Sequence, residues 1–205
     1  MKARKTSHES VKDNPGSRKT DPGSGKPGPD IRNNNPESGK PGPDLNKAVF
    51  LDRDGVLCDN NRHYYITRKE EFRLNPGVTE ALSIFRDKGY LLLVITNQGG
   101  ISTGQNTMEN VERVHGYMRS LLQEEGIILE EIYYCPHHSD NENCLCRKPL
   151  PLMLEKGLAR FGIDPSASYF IGDSDRDIQA GEAAGIPSIL VKSNGNLMEV
   201  ADRIA

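Results

Sequence analysis

Ala48-Val-Phe-Leu-Asp52-Arg-Asp54-Gly55 sets the architecture of this chain. Four apolar residues, too few for a helix and partly β-branched or aromatic, run directly into two carboxylates and a turn-permitting glycine. Similar short apolar runs recur at Leu91 to Ile95, Ile132 to Tyr134, Tyr169 to Ile171 and Ile189 to Val191. Between them the spacing of apolar residues becomes helical. Pro76-Gly77 opens one helix that should stop near Gly89, and Thr107 to Glu125 carries Met108, Val111, Val114, Met118, Leu121 and Leu122 on one stripe. Two further helices fit Pro151 to Arg160 and Asp177 to Ala184. Strands alternating with helices imply parallel pairing through right-handed crossovers. The expected fold is therefore α/β: an open parallel Rossmann-like sheet with helices on both faces.

Outward from this region the composition changes. Residues 1–45 hold 13 of the chain's 33 Gly and Pro residues, only five apolar residues and no aromatic ring, and repeat the heptapeptide Ser24 to Asp30 at Ser38 to Asp44. Such a stretch buries too little surface to offset its ordering entropy and reads as a disordered tail, with residues 46–205 as the folded domain. Nine basic and six acidic residues make the tail +3, leaving the body at −6. An acidic body argues against nucleic-acid partners and against a zinc-organised binding module that recruits them. The longest apolar run is too short to span a bilayer, and the N-terminus has no apolar signal core, so the expectation is a cytoplasmic monomer without membrane contact.

In an open α/β sheet, ligands bind beyond the carboxyl ends of the strands. Strand one delivers Asp52 and Asp54 there, strand two Thr96-Asn97-Gln98, the loop after strand three Lys148, and strand four Asp173 to Asp177. Carboxylates gathered this closely repel one another, and Mg²⁺, which favours oxygen ligands, relieves that repulsion while holding a phosphate oxygen. The logic is phosphoryl transfer. Asp52 is placed as nucleophile, Asp54 as a general acid/base that must start protonated, and Thr96 and Lys148 as holders of the other phosphate oxygens. A calcium loop is excluded, because Val56 and Ile178 stand where such loops need an acid or amide and a glycine.

Three of the four cysteines crowd into Cys135-Pro-His137 and Cys144-Leu-Cys146. Three thiolates and an imidazole within twelve residues make a closed tetrahedral Zn²⁺ site, structural because every position is a protein ligand. His138 competes with His137 for the fourth place. Zinc would fold the loop that ends in Arg147 and Lys148.

Phe50-Leu-Asp-Arg-Asp-Gly-Val-Leu57, Ile95-Thr-Asn-Gln98, Arg147-Lys-Pro149 and Ile171-Gly-Asp-Ser-Asp-Arg-Asp177 together resemble the four motifs of the haloacid dehalogenase superfamily phosphatases. The resemblance covers about residues 46 to 200, and the spacing between its first two motifs implies no large cap domain, only short loops over the site. It implies a magnesium site of Asp52, the Asp54 carbonyl and Asp173, with Asp177 in support, and substrate contacts at Asn97, Gln98 and Arg147. Tyr133-Tyr-Cys-Pro-His-His138 and Cys146-Arg-Lys-Pro149 are similar to a zinc-containing subgroup that acts on heptose 1,7-bisphosphate or histidinol phosphate. The absence of a second catalytic domain and the Tyr133-Tyr134 pair favour a phosphorylated heptose. The subgroup's arginine in the loop after Thr-Asn-Gln is missing from Gly99-Gly-Ile-Ser-Thr-Gly104, so weaker recognition of the distal phosphate is expected.

Overall fold

The computed structural model describes residues 45–204; apart from Leu45, the stretch expected to be disordered lies outside the described residues. Five strands, β1 (Ala48–Leu51), β2 (Leu91–Asn97), β3 (Glu131–Cys135), β4 (Tyr169–Gly172) and β5 (Ser188–Leu190), form one sheet in the order β3-β2-β1-β4-β5. All four pairings are parallel, so each connection crosses over the sheet. The helices α1 (Val78–Asp87), α2 (Met108–Glu124), α3 (Leu152–Phe161) and α4 (Asp175–Ala183) occupy those crossovers. This is the Rossmann-like α/β arrangement expected from the sequence.

The two-residue period of the strands separates two cores. Val49 and Leu51 of β1 join Leu92 and Val94 of β2 in one cluster, packed against Val78, Leu82 and Phe85 of α1 and Val114, Met118 and Leu122 of α2. Ala48 and Phe50 join Leu93 and Ile95 on the other face, against Met153 and Leu154 of α3 and Ala180 of α4. With both faces covered, β1 is wholly buried, which is why it reads as a continuous apolar run rather than an alternating one.

The sequence boundaries move by two residues at the places where chemistry begins, and by one residue at the ends of β3, β4 and β5. β2 extends to Asn97, because its register with β3 continues through Thr96↔Tyr134 to Asn97↔Cys135. α4 starts at Asp175 rather than Asp177, since Ser174 and Asp177 form a reciprocal capping box that satisfies the first-turn amides. Short 3-10 turns at Lys69–Glu71, Pro165–Ala167 and Leu197–Arg203 carry no periodicity from which they could be read. No helix among the described residues is long and apolar enough to cross a membrane.

Candidate active site and metal cluster

The carboxyl ends of β1, β2 and β4 converge on Asp52. Its Oδ1 lies 2.8 Å from Lys148 Nζ and accepts from the Arg53 amide at 2.7 Å. Lys148 is itself buried, donates to the Ile95 carbonyl at 2.8 Å and stands 2.6 Å from Asp177 Oδ1. One ammonium thus serves two carboxylates. Burial pushes the Asp52 carboxyl up to about 7; Lys148 opposes the shift, while Asp177 and Asp54 add to it. Asp173 is also raised, chiefly by burial.

Oxygens of Asp52, Asp173 and Asp177 all lie within 4.8 Å of one another. More negative charge is collected here than one lysine balances, and hard oxygen donors at this spacing suit a small divalent cation such as Mg²⁺. Gly55 permits the arrangement. It adopts φ +86°, and a Cβ there would fall 2.0 Å from Asp173 Oδ2. The bend after Asp54 therefore lets the β4 carboxylate approach the β1 loop.

Asp54 is gripped by donors. Arg53 Nε and Nη2 reach its Oδ1 at 3.0 and 2.8 Å, Nη2 reaches Oδ2 at 2.8 Å, and Gln98 Nε2 donates to Oδ2 at 2.8 Å. These donors occupy both oxygens of Asp54. Gln98, expected to touch substrate, is buried and divides its amide between Asp54 and the Thr96 hydroxyl at 2.9 Å. Asn97 is also committed to protein: its amide clamps the Lys148 backbone, donating to the carbonyl and accepting from the N–H, both at 3.1 Å. Of the three expected substrate contacts, only Arg147 keeps its side chain free for the cleft, apart from one bond to the His137 carbonyl at 2.8 Å. Spacing cannot show which way an amide at a strand end turns.

The second cluster joins Cys135, His137, Cys144 and Cys146. Cys135 Sγ lies 3.6 Å from Cys144 Sγ and 3.3 Å from Cys146 Sγ, and His137 Nδ1 lies 3.6 and 3.3 Å from Cys135 and Cys146. Tetrahedral zinc, with bonds of about 2.3 Å to sulfur and about 2.0 Å to nitrogen, needs edges near 3.8 and 3.5 Å by the same order-of-magnitude geometry. The donor set matches to within about half an ångström. His138 faces elsewhere: its Nδ1 accepts from the Asp140 amide at 3.3 Å and its backbone N–H donates to Ser102 Oγ.

A cleft of about 200 Å³ opens over Asp52, Thr96, Lys148 and Asp173, rimmed by Tyr64, Tyr65, Arg147 and Arg176. Neither rim arginine has a carboxylate partner among the described residues. The sequence reading missed Arg176. Arg176 sits in the first turn of α4, just past the carboxylates, and that placement was the available signal. Tyr65 fills the space over Gly100, where a Cβ would come within 2.9 Å of its ring.

Comparisons with known proteins agree with this geometry. A HAD-hydrolase-like family profile matches residues 145–202. The chain is 40% identical over 154 residues to a D-glycero-beta-D-manno-heptose-1,7-bisphosphate 7-phosphatase of Haemophilus ducreyi, covering 72% of this chain and 84% of that one. It is 36% identical over 156 residues to a D-glycero-alpha-D-manno-heptose-1,7-bisphosphate 7-phosphatase of Photorhabdus laumondii, covering 73% and 84%. Among solved structures, a D,D-heptose 1,7-bisphosphate phosphatase from B. bronchiseptica, complexed with magnesium and phosphate, superposes with a TM-score of 0.67 at 30% identity, covering 77% of this chain and 86% of that one.

Proposed function

The chain belongs to the heptose-1,7-bisphosphate 7-phosphatases of the haloacid dehalogenase-like phosphatases, and from that membership we propose that it hydrolyses the C7 phosphate of D-glycero-D-manno-heptose 1,7-bisphosphate through a phosphorylated Asp52. The observation that carries the mechanism is Asp52 itself: a buried carboxylate at the end of β1, oriented by Lys148 and open to the cleft. Its free oxygen attacks phosphorus, and the bond to the sugar oxygen breaks as the Asp52–phosphorus bond forms. Lys148 and Thr96 hold the non-bridging oxygens. Asp54 gives a proton to the leaving sugar oxygen, then takes one from the water that attacks the acyl phosphate, releasing phosphate and restoring Asp52. Arg53 and Gln98 hold both oxygens of Asp54, so in the first step their grip must loosen for it to carry the proton it gives.

Asp52, the Asp54 carbonyl and Asp173 would hold Mg²⁺, which when bound neutralises phosphate charge and eases the upward pressure on the Asp52 carboxyl. The cysteine–histidine set would hold structural zinc, fixing the loop that presents Arg147 and Lys148. A bisphosphate substrate needs cationic groups away from Asp52 for its other end, and Arg147 with Arg176 on the rim supplies them without the subgroup's missing arginine. The relatives' names include both the alpha and the beta sugar, so this reading is made for the heptose and not for one anomer.

The test is steady-state phosphate release from both heptose 1,7-bisphosphate anomers and from histidinol phosphate. A higher kcat/KM for a heptose anomer is the expected result. Preference for histidinol phosphate would overturn the substrate assignment. Asp52→Asn should fold normally and lose at least roughly 10³-fold in rate, because a carboxamide cannot form the acyl phosphate.

A further inference from the structure

Between the two aspartates of the β1 loop lies Arg53, which the mechanism above uses only as a neighbour of Asp54. Its side chain is completely buried. A guanidinium without solvent needs protein acceptors for its nitrogens, and Asp54 takes the N–H groups on Nε and Nη2. The remaining nitrogen, Nη1, lies 2.9 Å from Nε2 of His115. Arginine only donates, so His115 Nε2 must be the acceptor, and its ring proton must sit on Nδ1. The ring is therefore neutral. Burial, with Arg53 and Arg119 nearby, favours the same form, lowering the His115 pKa to about 2.

His115 occupies the middle of α2, on the stripe with Val111 and Met118, and is 3% exposed. Its ring is held edge-on by Tyr134 at 5.5 Å, and the Tyr134 hydroxyl is fixed on Glu112 at 2.8 Å. An imidazole on an otherwise apolar face needs a polar reason to be there, and Arg53 is the partner it meets.

We infer that His115 is a positioning residue for the general acid/base: through Arg53 it fixes where the Asp54 carboxylate stands, opposite the second hold supplied by Gln98. This extends the phosphatase reading and rests on it. His115 does not touch the cleft, so its loss acts on turnover and not on substrate binding. Replacing it with an apolar residue strands the Nη1 donor, and Arg53 then turns to another acceptor and draws Asp54 with it. Glutamine keeps an acceptor at the same face.

The experiment compares His115→Leu and His115→Gln in the full chain, on heptose 1,7-bisphosphate and on p-nitrophenyl phosphate. The leucine variant should lose about tenfold or more in kcat with KM within about twofold, a displacement effect of the usual size. The glutamine variant should recover most of that loss. Wild-type kcat in His115→Leu overturns the inference, as does a glutamine variant equally slow at equal thermal stability. If His115→Leu does not fold, ¹⁵N NMR of the wild-type ring decides: a proton on Nδ1 and a bare Nε2 support the contact, whereas an Nε2–H tautomer or a charged ring at pH 6 refutes it. A wild type that hydrolyses neither ester refutes the phosphatase reading instead, leaving the tautomer to judge the His115–Arg53 bond.

Discussion

Gly55→Ala is the substitution in which local backbone and metal chemistry meet. Gly55 sits at φ +86°, where an L-residue is strained by about 1–2 kcal/mol. The added methyl would also lie 2.0 Å from Asp173 Oδ2 and 2.6 Å from Ser193 Oγ. Carbon and oxygen in contact need about 3.3 Å, so Asp173 must retreat by roughly 1 Å. Mg²⁺ holds its oxygens near 2.0–2.1 Å in a stiff octahedron and cannot follow. Misplacement of about an ångström costs on the order of 10²-fold in rate. The expected outcome is a folded protein, less stable by about 1–2 kcal/mol, whose kcat falls about 100-fold and whose half-saturating Mg²⁺ concentration rises at least about tenfold. Phosphate release across a Mg²⁺ titration, paired with denaturant unfolding, measures all three. If Gly55→Ala keeps the parent's Mg²⁺ dependence and kcat, Asp173 is not a metal ligand and the carboxylate cluster has another purpose.

Other perturbations separate the parts of the site. Because the Asp52 carboxyl is raised from 3.8 to about 7, the metal-free folded protein binds a proton that the unfolded chain has released; stability from this group is complete below about pH 4 and is lost as pH rises to about 7. Asp52→Asn should remove that decline, with a ceiling of about 4 kcal/mol that loss of the Lys148 contact reduces, and urea unfolding between pH 4.5 and 8 should show the two curves diverging upward. Parallel curves would contradict the raised value. Metal analysis of protein purified without chelator should find one Zn²⁺ per chain, and Cys144→Ser should lower Tm and increase amide exchange from Arg147 to Lys148; a protein free of zinc ends that reading. Arg147→Ala and Arg176→Ala should each raise KM for heptose 1,7-bisphosphate by about 10- to 100-fold, the loss of one charge-assisted hydrogen bond, and leave a monophosphate such as p-nitrophenyl phosphate nearly unaffected. Equal effects on both esters would move the arginines from the distal phosphate to the reacting one.

The parts of the site that could be read from sequence are those fixed by backbone topology. A carboxylate directly after a buried strand has little choice of position, so Asp52 and Asp173 follow from finding β1 and β4, and closely spaced cysteines follow from chain length alone. Side-chain direction at the end of β2 was not legible in the same way. Asn97 ends the strand and Gln98 follows it, and only the tertiary structure turns one amide onto the Lys148 backbone and the other onto Asp54. His115 was hidden for a related reason: it falls on the buried stripe of α2, where helical periodicity expects packing, and its partner is 62 residues away. The start of α4 was displaced by two residues because Asp177 serves both as the helix's capping acid and as a partner of Lys148.

Cys135 closes β3 opposite Asn97, whose amide clamps the Lys148 backbone, so the segment between Cys135 and Lys148 is anchored at both stems. Its interior, residues 139–143, is exposed and contributes no member of the cysteine–histidine set. That makes the segment an exchangeable cassette. Residues 139–143 lie outside the cleft itself, and Ser139, Glu142 and Asn143 line a neighbouring groove that shares Arg147 and Arg176 with it, so this flank of the rim can diversify while both stems remain pinned. A library randomised over these five positions would vary the surroundings of the two rim arginines and leave Asp52, Thr96, Lys148 and Asp173 as they stand.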